Sequence, residues 1–262
     1  MFIIILTALV SSFNLAITGP VILWQRMANI GDALSHALIA SLILTFLGID
    51  EFIATIIISI VFMLLVTIFS DSSEDRAKNL VIFSSLFISV TLLFADIFDG
   101  QFRIQEMITG DIISSGYHEL FICAYIALIN STFIFTKLNK IVLVAISKDI
   151  ALVNGINLRF LKFSIALILA LTISVSIQIT GILLLTSLLI IPASIAKKIS
   201  NSPGDMVIKS AIIGCGCSLI SAFISLAYDL SFSATNSAIL VLSYIFSSLD
   251  INLIRAKFLR KI

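Results

Sequence analysis

The 262-residue sequence carries little charge, and this scarcity already excludes most soluble proteins. Only 12% of the residues are Asp, Glu, Lys or Arg, against about 25% in an ordinary soluble domain. Because 60% of the residues are hydrophobic, the chain has too few polar groups to cover a folded surface in water. The composition therefore excludes a soluble enzyme and a nucleic-acid-binding protein.

The sequence also lacks a nucleotide-binding loop and a cysteine pair that could bind a metal. The sequence has no G-x-x-x-x-G-K-[ST] loop, so any ATP-driven work requires a separate protein that hydrolyses the nucleotide. The three cysteines, Cys123, Cys215 and Cys217, form no C-x-x-C pair and stand within apolar runs. Their placement predicts buried thiols rather than a metal site.

The chain is dominated by long apolar runs. A transmembrane helix needs about 20 mostly apolar residues, and nine runs meet or approach this length. The first has no basic segment before it and extends to Trp24, which predicts a membrane span rather than a signal peptide. The nine runs are 2–24, 31–48, 52–69, 80–96, 119–136, 163–178, 181–196, 207–227 and 235–249.

The positions of Lys and Arg favour nine spans over eight. With nine spans and an outside N-terminus, every Lys and Arg except Arg103 lies on the inner side, as the positive-inside rule expects. Joining 163–178 to 181–196 would divide these residues equally between the two sides, and Gly181 and Pro192 also favour a break rather than one straight helix. Eight spans stay open if one short run is re-entrant. We predict an all-α membrane protein, a helical bundle in one domain over 1–262, with a cytoplasmic C-terminus.

Asp32 and His36 are the candidate metal ligands. They stand four residues apart at the start of the second predicted span, so both side chains lie on one helix face, about 6 Å apart. One carboxylate and one imidazole on a shared face can bind Zn²⁺ or Mn²⁺. A homodimer with this helix near its two-fold axis would offer four ligands. In the alternative interpretation, Asp32 caps the helix N-terminus and His36 bonds a neighbouring carbonyl.

The longest inner loop, about 137–162, contains a second candidate element. Residues 147–157 predict a short helix that Gly155 ends in a left-handed conformation. An apolar turn among basic residues indicates either a docking element for a cytosolic protein or a helix lying on the lipid surface. The apolar segment 180–193, interrupted by Gly, Thr, Ser and Pro, indicates either a broken helix that lines a cavity or a kinked core helix.

Asp111 and His118 form a weaker candidate pair on the outer side. They lie seven residues apart and could serve as an entry site for a cation. A solvated loop pair is the favoured interpretation.

Four segments, 24–37, 110–113, 149–156 and 181–193, carry a resemblance that covers almost the whole chain. In these segments the chain resembles the integral-membrane permease of bacterial zinc-uptake ABC transporters, within the wider zinc/manganese/iron permease family. The resemblance implies a permease homodimer in the bacterial inner membrane, bound to two cytosolic ATPase subunits. It also implies a periplasmic or surface metal-binding protein as partner, and a metal site at Asp32 and His36.

The resemblance implies that the transported ion is the substrate and that no cofactor is permanently bound. Zinc is the expected ion, with manganese or iron as the alternative, because one Asp and one His do not choose among them. A stand-alone secondary metal transporter is a second class, but Asp32 is the clearest acid within the predicted spans.

Two features depart from the family pattern. A histidine common in the family's fourth span is missing, and Ser84 and Ser85 stand at about that place. The Pro-Gly step after the family's late Tyr-Asp is also absent, since Leu230 follows Tyr228 and Asp229 here. Either difference would alter the rate or selectivity of transport if the missing residues tune it.

Overall fold

The computed structural model describes residues 2–70, 72–97 and 116–259, and all regular structure in these ranges is α-helical. This confirms the predicted fold class. The helices are α1 (Phe2–Trp24), α2 (Ile30–Leu38), α3 (Ser41–Phe46), α4 (Glu51–Ile68), α5 (Ser73–Ile97), α6 (Tyr117–Ile146), α7 (Lys148–Val153), α8 (Leu158–Ile199), α9 (Pro203–Tyr228) and α10 (Phe232–Leu259).

Seven helices in the described ranges are long and apolar enough to cross a membrane, so the predicted count of nine is not supported. The run 31–48 is divided into the two short helices α2 and α3 by a turn at Ile39 and Ala40. The runs 163–178 and 181–196 fall within the single element α8, of which Leu158–Gly181 counts as one span. The other six spans are Ile5–Trp24, Glu51–Ile68, Glu74–Ile97, Tyr117–Ile146, Pro203–Tyr228 and Phe232–Leu249.

Gly181 interrupts α8 as the sequence predicts. Its φ of 74° and ψ of 168° lie in a region that is essentially restricted to glycine. The prediction that Pro192 also favours a break is wrong, because the helix continues through Pro192 and the non-helical residue is Gly181. The element therefore consists of two helical segments that meet at one non-helical residue.

Helix α1 lies at the centre of the bundle, packed against α6, α8 and α9. Its buried face carries polar side chains, which hydrogen-bond to neighbouring helices instead of to water. Asn130 Nδ2 donates to Asn14 Oδ1 and to Thr18 Oγ1, each at 2.7 Å. Ser218 Oγ donates to Ser12 Oγ at 2.6 Å. Such hydrogen bonds hold helices together where lipid removes the hydrophobic driving force.

The three cysteines are free thiols. Cys123 and Cys217 are buried, as predicted, whereas Cys215 is partly exposed.

Candidate metal site

Helix α2 carries Asp32 and His36 and packs against α4, α5 and α8. Seven of its nine residues are buried, and the two exposed residues are Asp32 and His36. A helix that buries all but two positions has one narrow free face, and here that face carries a carboxylate and an imidazole four residues apart. The structure thus places both residues on the same face of one helix.

The N-terminus of α2 does not fit the interpretation in which Asp32 caps the helix. Helix α2 begins at Ile30, and Asn29 occupies the N-cap position, so Asp32 lies inside the first turn. Asn29 makes no side-chain capping bond. Within the described part of the chain, neither Asp32 nor His36 has a side-chain hydrogen bond or an ion pair, so both remain available to a ligand.

A single chain offers two candidate ligands at this place, Asp32 and His36. Among the described residues no group of three or more His, Cys, Asp or Glu side chains is positioned to bind a metal ion. Zinc sites usually have four ligands, and catalytic ones have at least three from the protein. Asp32 and His36 can therefore form a complete site only with ligands from another source, such as water or a second copy of the chain.

The sequence did not predict that α2 packs closely against α8. A methyl group added at Gly31 would lie 2.8 Å from Thr186 Cγ2, so α2 and the second segment of α8 are in close contact next to Asp32. Gly19 of α1 similarly allows contact with the backbone oxygen of Leu189. The signal in the sequence was the small residues of 24–37 and 181–193, but nothing in it showed that they meet.

Helix α7 leaves an apolar face uncovered in the chain. Val153 is 89% exposed, and Ile150 and Leu152 are each about half exposed, whereas Ala151 is buried. Ser147 Oγ accepts a hydrogen bond from the Ile150 backbone N–H at 3.4 Å and begins the helix. Gly155, with a φ of 71°, ends it in the left-handed conformation that the sequence predicts.

Of the remaining candidate residues, those that the structure describes do not join this site. Asp111 and the segment 110–113 lie outside the described residues. His118 is exposed at the start of α6, with Nδ1 4.0 Å from Glu119 Oε1. Ser84 is buried and donates to the Val81 carbonyl at 2.9 Å, so it satisfies its hydroxyl within α5.

The turn after α9 forms without the Pro-Gly step of the family. Asp229 adopts a left-handed conformation with a φ of 52°, and Ser225 Oγ donates to the Leu230 carbonyl. Asp tolerates this conformation better than most residues do, so the departure leaves a tight connection between α9 and α10.

In the part of the chain that the structure describes, seven helices are long and apolar enough to cross a membrane, which defines a multi-pass membrane protein. The sequence profile of the ABC 3 transport family matches residues 1–250, and the chain belongs to this family. It is thus the membrane permease subunit of a metal ABC transporter and not an enzyme. Membership of the family implies ATPase and substrate-binding partners.

Individual relatives cover nearly the whole chain. It is 28% identical over 249 residues to the high-affinity zinc uptake system membrane protein ZnuB of Buchnera aphidicola subsp. Schizaphis graminum, covering 92% of this chain and 95% of that protein. It is 23% identical to the manganese import system permease protein ScaB of Streptococcus gordonii, covering 92% and 87%. The fold matches that of PsaBC from Streptococcus pneumoniae in complex with Fab, with a TM-score of 0.79, 22% identity and coverage of 93% and 89%.

Proposed function

We propose that this chain is the permease of an ATP-driven importer of divalent metal in the bacterial inner membrane, with Zn²⁺ as its substrate. The observation that carries the proposal is the free face of α2, on which Asp32 and His36 are the exposed residues. Charged and polar side chains at membrane depth are costly, and they mark ion pathways when no structural partner satisfies them.

The metal site forms between two copies of the chain. Each copy contributes Asp32 and His36, and together they provide the four nitrogen and oxygen ligands that Zn²⁺ accepts in tetrahedral geometry. Because each chain provides only two of the four ligands, separation of the two α2 helices leaves the ion with half of its protein ligands. The ion is then bound loosely enough to be released. Contact between Gly31 and Thr186 supports coupling between α2 and the broken helix α8.

Helix α7 docks onto a cytosolic ATPase subunit, one in each half of the dimer. Its exposed Ile150, Leu152 and Val153 form a compact apolar surface at the end of a basic loop. A six-residue helix is too short to be stable alone, and burial in a groove of a partner would fix it. A surface or periplasmic metal-binding protein would deliver the ion on the other side.

The chain crosses the membrane nine times, with its N-terminus outside and its C-terminus in the cytoplasm. In this topology α2 and α3 together make one crossing, and the segment of α8 after Gly181 makes another. The distribution of Lys and Arg supports it, since only Arg103 lies outside.

Two observations favour zinc over manganese: the histidine in the candidate site and the names of several of the most similar permeases. Imidazole is a better ligand for Zn²⁺ than for Mn²⁺, which prefers oxygen. Four of the most similar curated relatives are named zinc uptake permeases, at 27–28% identity. The manganese permease of Streptococcus gordonii, at 23% identity, is the reason to keep manganese as the second candidate.

Uptake of radioactive zinc tests the proposal. The chain, expressed with its ATPase and binding protein in a host that lacks its own zinc importer, is expected to restore uptake at low external zinc. His36→Ala should abolish this uptake, whereas His118→Ala, which removes the other histidine of the chain, should leave it unchanged. Uptake of manganese instead of zinc would overturn the assignment of the ion, and wild-type uptake by His36→Ala would overturn the site.

A further inference from the structure

A small pocket lies where the ends of α1, α4, α5 and α8 meet, and its lining includes neither Asp32 nor His36. Its cavity volume is about 20 Å³. Within the described part of the chain, the residues that line it include no acid, and of its two cations, Arg76 and Lys162, Lys162 already has an interaction partner. The positive charge that this pocket offers to a ligand is therefore that of Arg76, and it points to an anion.

Gln25 presents a buried donor to this pocket. The residue follows α1 and is 4% exposed. Its Oε1 accepts a hydrogen bond from Arg76 Nη1 at 3.0 Å, and this bond fixes the orientation of the amide, because the reverse would set two donors against each other. Its Nε2 is buried and has no acceptor among the described residues.

Arg76 presents the second donor, and it carries a charge. Its Nε is buried without an acceptor in the described ranges, while Nη1 is taken by Gln25. The edge formed by Nε and Nη2 is therefore free to bind two oxygens of one oxyanion, the geometry that guanidinium groups use for phosphate. The nearest acid in sequence, Asp75, pairs instead with Lys78 at 3.4 Å. Arg76 as a whole is partly buried, but its buried Nε has no acceptor among the described residues, so an oxyanion at this edge would satisfy both the donor and the charge.

The volume of the pocket and its position near the ends of two spans indicate which kind of anion it can bind. A cavity of this volume admits about one oxygen-sized group, so one oxygen of a larger anion enters and the rest remains at the mouth. Arg76 lies in the first turn of the span Glu74–Ile97, and Thr67, which also lines the pocket, lies in the last turn of Glu51–Ile68. The ends of spans lie at the level of lipid headgroups, where basic pockets between helices bind phosphate.

We propose that this pocket binds a phosphate oxyanion, with Arg76 as its anchor and Gln25 as its second donor. The phosphate comes from an anionic phospholipid or from inorganic phosphate. Gln25 and Met27, both in the lining, belong to the turn that connects α1 to α2. The bound anion thus fixes the turn immediately before the helix that carries Asp32 and His36.

Lipid retention by the full-length permease tests the site. The protein is reconstituted into vesicles of phosphatidylglycerol and phosphatidylcholine and is then delipidated and analysed by native mass spectrometry. Wild-type chains should retain phosphatidylglycerol, and Arg76→Gln should lower retention roughly tenfold, the loss expected for a charge-assisted hydrogen bond. Lys78→Gln removes the same charge from an exposed position two residues away and should leave retention unchanged.

Two further measurements separate the sources of phosphate and exclude misfolding. If inorganic phosphate raises the thermal stability of protein in pure phosphatidylcholine, and Arg76→Gln removes that gain, the anion is free phosphate. Gln25→Glu places a carboxylate beside Arg76, so it should abolish retention of phosphatidylglycerol while thermal stability is maintained. The proposal is overturned if the wild type neither retains phosphatidylglycerol nor responds to phosphate, or if Arg76→Gln behaves like Lys78→Gln.

Discussion

Asp32 and Asp50 both stand near the start of a helix, but they have different surroundings. Asp50 is the N-cap of α4, and its Oδ1 accepts hydrogen bonds from the Phe52 and Ile53 backbone N–H groups at 3.0 and 3.3 Å. Asp32 lies within the first turn of α2, where it makes no capping bond. Of the two, only Asp50 has a structural role that the described residues account for.

Substitution by asparagine at Asp32 and at Asp50 distinguishes a metal ligand from a helix cap. Asparagine caps a helix about as well as aspartate, so Asp50→Asn should leave zinc uptake and expression near wild type. Asp32→Asn should lower uptake at least tenfold, because the loss of even an indirect metal partner costs about 10–100-fold in affinity. Uptake is measured with equal amounts of membrane-inserted protein. Equal uptake by the two variants would remove Asp32 from the metal site.

At the scale of helices, close packing depends on particular glycines. A Cβ atom at Gly19 of α1 would overlap the Leu189 backbone oxygen of α8, and a backbone atom cannot move aside as a flexible side chain can. A Cβ at Gly216 of α9 would meet nothing within 4 Å.

These two glycines predict opposite effects of one substitution. Gly19→Ala should destabilise the bundle by about 1–3 kcal/mol, the usual cost of overpacking. Gly216→Ala should be neutral or stabilising by up to about 1 kcal/mol, because alanine favours the helix more than glycine does. Thermal unfolding of the purified permease in detergent measures both. A Gly19→Ala variant as stable as Gly216→Ala would contradict the close contact between α1 and α8.

The apolar face of α7 predicts a loss of assembly. Val153→Asp should abolish co-purification with the ATPase while the permease remains inserted, since burial of an unpaired carboxylate costs several kcal/mol. Asn157→Asp adds the same charge in the same loop, but its Oδ1 already accepts from the Phe160 N–H, a role that aspartate can keep. We expect normal co-purification of Asn157→Asp. If Val153→Asp also co-purifies normally, α7 is not the docking element.

Sequence patterns predicted single elements better than contacts between them. The helix over 148–153, its left-handed end at Gly155 and the break at Gly181 each depend on local backbone preferences, so they were predictable. The division of 31–48 into α2 and α3 was not, because the turn at Ile39 and Ala40 contains neither Gly nor Pro. The pairing of Asp32 with His36 followed from helical periodicity, but the contact of Gly31 with Thr186 is tertiary and leaves no periodic signal.

At the scale of the whole molecule, topology makes a prediction of its own. With nine crossings and an outside N-terminus, a reporter fused after Ile262 should be active only if it is one that works in the cytoplasm. A periplasmic reporter at the same place should be silent, and the two patterns should reverse for a fusion in the outer loop near Arg103. An active periplasmic reporter after Ile262 would contradict the nine-span topology.

The central position of α1 has a consequence for biogenesis. This helix leaves the ribosome well before the helices that carry the partners of its buried polar groups. Asn130 follows Asn14 by 116 residues, and Ser218 follows Ser12 by 206. Until those helices are inserted, α1 carries side-chain donors and acceptors that lipid cannot satisfy. The insertion machinery must therefore retain α1, or water must accompany it, until the helices that carry Asn130 and Ser218 have been inserted.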